Sequence, residues 1–329
     1  MKKKRTIRFL GLPVVTIKEK QSQTKYSVLG IPVYRKRKKM IPLQTPSGSE
    51  MKLSFDVNTR SFSITDYGAI EIRNISMFHL LAIAMTRIRM QLPKSFDLII
   101  KTADYAGTNE QYAAFCRTDE QQNVILIPDF TFDGWATIGV YSYKQLIDEI
   151  VARSKEPYKY DKLFWIGSAE THPSRVTLCE MSLKDNRIEA IGANWKRETY
   201  QIYRTQKADK FVTFQDHTEY KYLIDLQGYG YSGRLKVLLF TGRPLFIAER
   251  KWKEYFYEDL KPFVHYIPVK EDLSDLTEKL DWAEAHYDEA VQIAKNAQEY
   301  ALSHLTQEKA IDKLEEILMD YSQKYGTPA

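Results

Sequence analysis

Residues 228–236 read Gly-Tyr-Gly-Tyr-Ser-Gly-Arg-Leu-Lys. Glycines at 228, 230 and 233 let a backbone come close to a ligand, and Ser232 adds a hydroxyl. Arg234 and Lys236 add cationic charge suited to a diphosphate. Tyr231 stands within the same loop. The apolar run Tyr222-Leu223-Ile224-Asp225-Leu226 before it reads as a strand, and Leu235, Val237, Leu238 and Leu239 after it read as a helix. The loop would then open a helix, whose N-terminal N–H groups and dipole favour an anion. The spacing is also formally G-x-G-x-x-G, and Glu249 falls at the end of the next strand, where a ribose-binding acid of a dinucleotide site would stand. Two basic residues in the loop and its place deep in the chain favour a diphosphate held by side chains. An NAD(P)- or FAD-dependent oxidoreductase and a noncatalytic sugar-nucleotide-binding protein remain the alternatives.

Transfer of a group to a hydroxyl needs a carboxylate or His within reach of the departing proton. Asp104 follows the buried-strand pattern Phe96-Asp97-Leu98-Ile99-Ile100, in a loop at the carboxyl end where ligands of α/β sheets bind. Asp129, Asp133 and His172 are its rivals.

The elements that must position these groups alternate. A strand-like pair spans 51–72, and Ser76 can cap a helix reaching about Met90. Strands are expected at 96–100 and 124–127, and a helix begins at Ser142. A polar stretch at 155–162 reads as a domain boundary. Beyond it, strands are expected at 163–167, 222–226, 244–248 and 264–269, with a helix from about Arg175. The last 55 or so residues carry Ala, Leu, Ile and Glu at helix spacing. Strands alternating with helices imply two α/β domains with mainly parallel sheets and a cleft between them. The expected layout is a basic arm (1–40), an acceptor-side domain (41–157), a nucleotide-sugar-binding domain (158–305) and a C-terminal helix (306–329).

Composition narrows the compartment and the partners. The 329 residues carry a net charge of +5, but residues 1–40 alone carry +12 and the remainder −7. The arm holds a duplicated element, Phe9-Leu10-Gly11-Leu12-Pro13-Val14 and Val28-Leu29-Gly30-Ile31-Pro32-Val33, each bracketed by Lys and Arg. Neither copy reads as a signal peptide, and no stretch approaches the roughly 20 apolar residues of a spanning helix. The arm is expected either to add two short strands to the first domain or to attach to an anionic membrane surface; nucleic-acid binding is the weakest reading. Two cysteines, Cys116 and Cys179, give no disulfide framework, and six scattered histidines give no zinc site.

Three segments carry a family resemblance: YKYLIDLQGYGYSGRLK, EYFYEDLKPFVHYIPVKEDLSDL and WAEAHYDEAVQIA. Together they resemble glycosyltransferase family 90, over roughly residues 95–305. The resemblance implies a GT-B-like fold of two Rossmann-like domains facing a cleft, a UDP-sugar donor, inversion at the anomeric carbon, and neither cofactor nor required metal. It places the family's Ser-x-Arg-x-Lys element on Ser232, Arg234 and Lys236. Its strand ending in Gly-Ser falls on Gly167 and Ser168, with the following Arg on Arg175. Glu254 takes the Glu of the Glu-aromatic-Phe element, with a ribose role. The Asp-Tyr element falls on Asp104-Tyr105, which makes Asp104 the base. Ile166 stands where the family often has Arg. The chain is expected to lack the secretory features of eukaryotic members, and its arm is similar to those of bacterial surface-polysaccharide transferases. The expected acceptor is therefore a lipid-linked oligosaccharide of lipopolysaccharide type, met on the cytoplasmic face of the inner membrane, with UDP-glucose as the first choice of donor.

Overall fold

The computed structural model describes residues 3–9, 12–20, 23–28, 31–37, 50–67, 72–194, 199–202, 206–207 and 212–328. The chain forms two compact units. Unit 1 comprises residues 1–115, 121–138 and 311–329, and unit 2 comprises residues 116–120 and 139–310. The division at 138/139 precedes the polar stretch expected to mark it. Helix Tyr143–Arg153 packs with unit 2, where the buried Tyr143 hydroxyl donates to the Leu305 carbonyl at 2.9 Å. The end of the C-terminal helix Gln307–Tyr325 returns to unit 1, so 306–329 is not a separate appendage.

In unit 1 the arm holds four strands rather than two: Lys3–Phe9, Leu12–Lys20, Gln23–Val28 and Ile31–Arg37, paired antiparallel in chain order. The duplicated sequence element explains the count. Each copy supplies one hairpin, closing at Phe9↔Leu12 and at Val28↔Ile31. The connecting pairs Leu10-Gly11 and Leu29-Gly30 lie outside the described residues.

A second sheet of unit 1 has five strands in the order Ser61–Asp66, Glu50–Asp56, Phe96–Lys101, Ala113–Ala114, Ile125–Leu126. The first three are antiparallel neighbours and the last three parallel, so the sheet is mixed. Helix Ile72–Ile88 covers it, with Met77, Leu80, Leu81, Ala84, Met85 and Ile88 buried at helical spacing. This helix starts before Ser76, which is buried inside it and does not cap it. The C-terminal helix is tied on by two bonds: Tyr321 to the Asp97 carbonyl at 3.1 Å and Ser322 to the Lys94 carbonyl at 2.8 Å.

Unit 2 contains a seven-stranded sheet. Five strands are parallel, in the order Ile188–Asn194, Tyr160–Gly167, Tyr220–Asp225, Leu245–Ala248, Ile267–Val269. Thr199–Ile202 and Gln206–Lys207 extend one edge antiparallel. Strand Ile188–Asn194 is an addition to the sequence reading, because its Glu-Ala-Ile-Gly-Ala stretch is too mixed to announce a buried strand. The inner strands are apolar on both faces, as Leu163, Phe164, Trp165 and Ile166 show, because helices cover both sides. Chain order reverses direction between Tyr160–Gly167 and Tyr220–Asp225. That is a topological switch point, where the carboxyl ends of the two strands splay and leave a crevice for a ligand.

Candidate functional site

The carboxyl ends at the switch point carry the loop singled out in the sequence. Asp225 ends its strand wholly buried. Its Oδ1 accepts the Ser232 hydroxyl at 2.6 Å, and its Oδ2 lies 2.8 Å from Arg250 Nη1. Arg234 Nε stands 3.8 Å from Oδ1, and Arg234 Nη1 donates to the Ile166 carbonyl at the end of the neighbouring strand. Arg175, in the first turn of helix Pro173–Met181, donates to the Leu226 carbonyl (2.9 Å), the Gln227 carbonyl (2.8 Å), the Ser168 carbonyl (3.2 Å) and Thr171 Oγ1 (2.8 Å). The Arg175 and Arg234 guanidiniums each lie 5.5 Å from the Trp165 ring centroid, within cation–π range.

Two glycines make room for these cations. A Cβ on Gly167 would lie 2.6 Å from Arg234 Nη2, and a Cβ on Gly228 would lie 3.3 Å from Arg175 Nη2. Gly167 and Gly228 therefore admit guanidinium groups; of the loop's three glycines, Gly228 makes room for a side chain of the protein itself. The helix dipole also contributes less than expected. Helix Leu235–Leu238 is a single turn running into the 3-10 turn Leu239–Thr241, and the Leu235 N–H is spent on the Ser232 carbonyl. The cationic character of this loop rests on side chains.

Arg234 and Arg250 thus converge on one buried carboxylate, and Arg175 holds the backbone just beyond it. Burial, then the neighbouring Arg234, lowers the Arg175 pKa to about 9. Burial also lowers Arg234, with Asp225 opposing and Arg250 adding to the fall. For Arg250 burial is outweighed by Asp225, Tyr257 and Glu254, and the net shift is upward. A guanidinium stays protonated at neutral pH, so the downward shifts of Arg175 and Arg234 express chiefly the cost of burying a cation, to which the neighbouring arginines add.

The other expected residues fall in or beside this cluster. Ser168 begins the 3-10 turn Ala169–Thr171 that Arg175 braces. Tyr231 is half-buried in the loop. The Ser232 hydrogen is committed to Asp225, which leaves its oxygen to accept. Lys236 is fully buried and its Nζ donates to the Gly233 carbonyl at 3.1 Å, so it ties the loop to itself. Glu254 is buried, and its charge acts on Arg250 and Tyr257. Beside the arginines, Gln227 Nε2 reaches Glu271 Oε1 at 2.7 Å, and His172 Nε2 lies 3.4 Å from the same oxygen. Asp225 and Arg250 were absent from the sequence reading. Their signal is a charged residue closing an apolar strand and another two positions beyond the next strand.

Unit 1 holds the candidate base. Asp104 follows strand Phe96–Lys101, as expected, with its side chain 54% exposed. Arg73 Nη1 lies 3.0 Å from Asp104 Oδ1 and donates to the Thr102 carbonyl at 2.8 Å, while its guanidinium sits 5.4 Å from the Phe130 ring centroid. Among the rivals, Asp129 is buried and caps the 3-10 turn Phe130–Phe132, accepting from Thr131 N at 2.7 Å and Thr131 Oγ1 at 2.5 Å. Its carboxylate is committed to structure. Asp133 lies 3.1 Å from His79 Nδ1, and that hydrogen bond raises the His79 pKa.

Comparison with known proteins identifies the family. The profile described as Glycosyl transferase family 90 matches residues 69–327. Protein O-glucosyltransferase 1 of Rattus norvegicus is 32% identical over 225 residues, covering 64% of this chain and 56% of its own. O-glucosyltransferase rumi of Drosophila melanogaster is 30% identical, covering 53% of this chain and 46% of its own. The chain thus spans about half the length of these curated relatives. Among solved structures, HepE of Anabaena in complex with UDP-glucose has a TM-score of 0.33 at 12% identity, covering 57% of this chain and 46% of its own. HepE in complex with UDP has a TM-score of 0.32 at 11% identity, covering 81% and 56%. With the family profile matched over most of its length, the chain belongs to glycosyltransferase family 90.

Proposed function

We propose that the chain is an inverting glycosyltransferase that moves a sugar, glucose in the first instance, from a UDP-sugar to a surface-glycan acceptor of lipopolysaccharide type. The observation that carries the reading is the excess of guanidinium over carboxylate at the switch point of unit 2. Arg234 and Arg250 lie against the wholly buried Asp225, Arg175 holds the two carbonyls that follow it, and buried Glu254 acts on Arg250, which leaves three guanidiniums to two carboxylates. Preorganised cations of this kind stabilise a departing diphosphate without reorganisation at the moment of reaction. Membership of family 90 and relatives named as O-glucosyltransferases support the same reading.

In the proposed reaction the acceptor oxygen bonds to the anomeric carbon, its proton passes to the Asp104 carboxylate, and the bond to UDP breaks with both electrons leaving on the diphosphate. Arg234 is the group proposed to meet that charge, with Arg175 bracing the loop from which it projects. Gly167, Ser168, Gly228, Tyr231, Ser232, Lys236 and Glu254 complete the proposed donor site. The dinucleotide alternative is less well supported, because the loop opens only a one-turn helix and its first glycine, Gly228, lies against the Arg175 guanidinium.

The N-terminal sheet is proposed to bring the enzyme to the anionic cytoplasmic face of the inner membrane. Each basic residue near such a surface contributes about 1 kcal/mol. No helix among the described residues is long and apolar enough to cross a membrane.

The test is a turnover screen of UDP-sugars against extracted lipopolysaccharide acceptors, repeated in excess EDTA. We expect transfer from one UDP-hexose, with inversion and with full rate in EDTA. Loss of activity that only magnesium or manganese restores would overturn the metal-free mechanism, and absence of transfer from every UDP-sugar would overturn the donor class.

A further inference from the structure

We propose that Asp225 and Arg250 act together as the positioning pair of the donor site, fixing the anion-binding loop from below. This rests on the reading of that loop as a diphosphate site. Both side chains are fully buried, and their charged ends meet at 2.8 Å. Arg250 also donates from Nη2 to the Asp225 carbonyl at 3.2 Å and from Nε to the Ala248 carbonyl at 3.3 Å. Its guanidinium lies 5.4 Å from the Tyr257 ring centroid. Arg250 is therefore held by two adjacent strand ends and one aromatic face, and is fixed before any ligand arrives.

Asp225 passes that rigidity to the loop. Its Oδ2 faces Arg250, while its Oδ1 takes the Ser232 hydroxyl at 2.6 Å and stands 3.8 Å from Arg234 Nε. Ser232 and Arg234 flank Gly233, so one carboxylate sets both the turn and the guanidinium beyond it. Arg250 is too deep to be a ligand contact itself. Its task is to hold Asp225 against two other claims, because a carboxylate shared by two guanidiniums favours the nearer and less mobile one. Arg234 is the more distant partner, and remains free to exchange part of its attraction to Asp225 for a phosphate oxygen. The division of roles follows from the distances: Arg250 anchors and Arg234 responds.

Removing one member of a buried ion pair strands a charge, which destabilises the fold whatever the pair does. The test therefore removes both, in Asp225→Asn with Arg250→Met, and is accompanied by Ser232→Ala, which strands no charge. Kd for UDP, KM for the donor and KM for the acceptor are measured on the folded fraction of each. We expect the double variant to raise UDP Kd and donor KM about 10- to 100-fold, the scale of a misplaced binding group, with acceptor KM unchanged. Ser232→Ala should move the same two constants in the same direction by less. Arg250→Lys, which keeps the ion pair, should restore donor KM towards wild type. A merely structural role predicts lower thermal stability with unchanged UDP Kd, and that result overturns the proposal. A double variant that does not fold leaves Ser232→Ala and Arg250→Lys to decide it, and wild-type donor KM in Ser232→Ala then overturns it. Arg234→Ala separates the two levels of inference: if it leaves UDP affinity intact, the diphosphate reading itself fails, whereas loss there with no loss in the double variant rejects only the pair.

Discussion

The two units carry carboxylates in opposite settings. Asp225 of unit 2 has no exposed side-chain surface and is shared by Ser232, Arg234 and Arg250, whereas Asp104 of unit 1 is 54% exposed and has Arg73 at 3.0 Å from one oxygen. A group meant to hold others in place gains from burial, where every ion pair and hydrogen bond is stronger and fixed. A group meant to accept a proton must keep a lone pair within reach of an incoming hydroxyl. On the proposed function the difference matches the two roles: the buried carboxylate organises cations, and the exposed one is the proposed base.

The sharpest way to break that contrast is at the exposed end. Asp104→Asn keeps shape and removes the basic charge. We expect sugar transfer to fall at least about 100-fold, the scale of general-base loss, while UDP affinity stays near wild type. A variant that turns over at a comparable rate would move the base to Asp133, which stands against His79 in the same unit.

A smaller effect separates the units by pH. His217 is wholly buried in unit 2, donates from Nδ1 to the Thr213 carbonyl at 2.7 Å, and has its pKa pushed down to about 4 by burial. The unfolded chain has an ordinary imidazole near 6.5. Folded unit 2 therefore binds fewer protons than the unfolded chain below that value, so the contribution of His217 to stability is complete above about pH 6.5 and is lost as pH falls towards 4. Thermal melts between pH 7.5 and 4.5 should show this loss, and His217→Phe should flatten it. An unchanged acid dependence in His217→Phe would assign the titration to another group.

The smallest expected effect on catalysis comes from deleting residues 1–40. Turnover on a soluble saccharide acceptor should persist, while protein leaves the membrane fraction, as it should also do in high salt. An insoluble or unfolded truncation would instead show that unit 1 needs the four-stranded sheet to fold.

What was legible in the sequence follows the same division. The loop at 228–236 announced itself because strand, glycines, serine and two basic residues are contiguous, and Arg234 and Ser232 do meet at the switch point. Its details were not legible. Glycine spacing does not say whether a guanidinium or a ligand fills the space, and apolar periodicity after the loop does not reveal that the helix lasts one turn. Lys236 looked like a free cation because its burial depends on packing from distant segments. Arg250 was passed over because its partner, Asp225, lies 25 positions earlier and the pair exists only once two parallel strands are in register. The same reason hid the return of the C-terminal helix to unit 1, which is held by Asp97 and Lys94 more than 200 positions earlier. The duplicated element of the arm was visible, but counting it as two strands missed that each copy is a hairpin.

The central claim, that the loop of unit 2 carrying Arg234 binds the diphosphate of a UDP-sugar, is tested most directly by titrating UDP into the wild-type protein and into Arg234→Ala, with NAD and FAD as controls. Wild type should bind UDP in preference to either dinucleotide. Loss of one charge-assisted contact, worth about 1.5–3 kcal/mol, should weaken UDP roughly 10- to 150-fold in the variant. Equal UDP affinity in the two proteins, or tighter binding of NAD or FAD than of UDP, would contradict it.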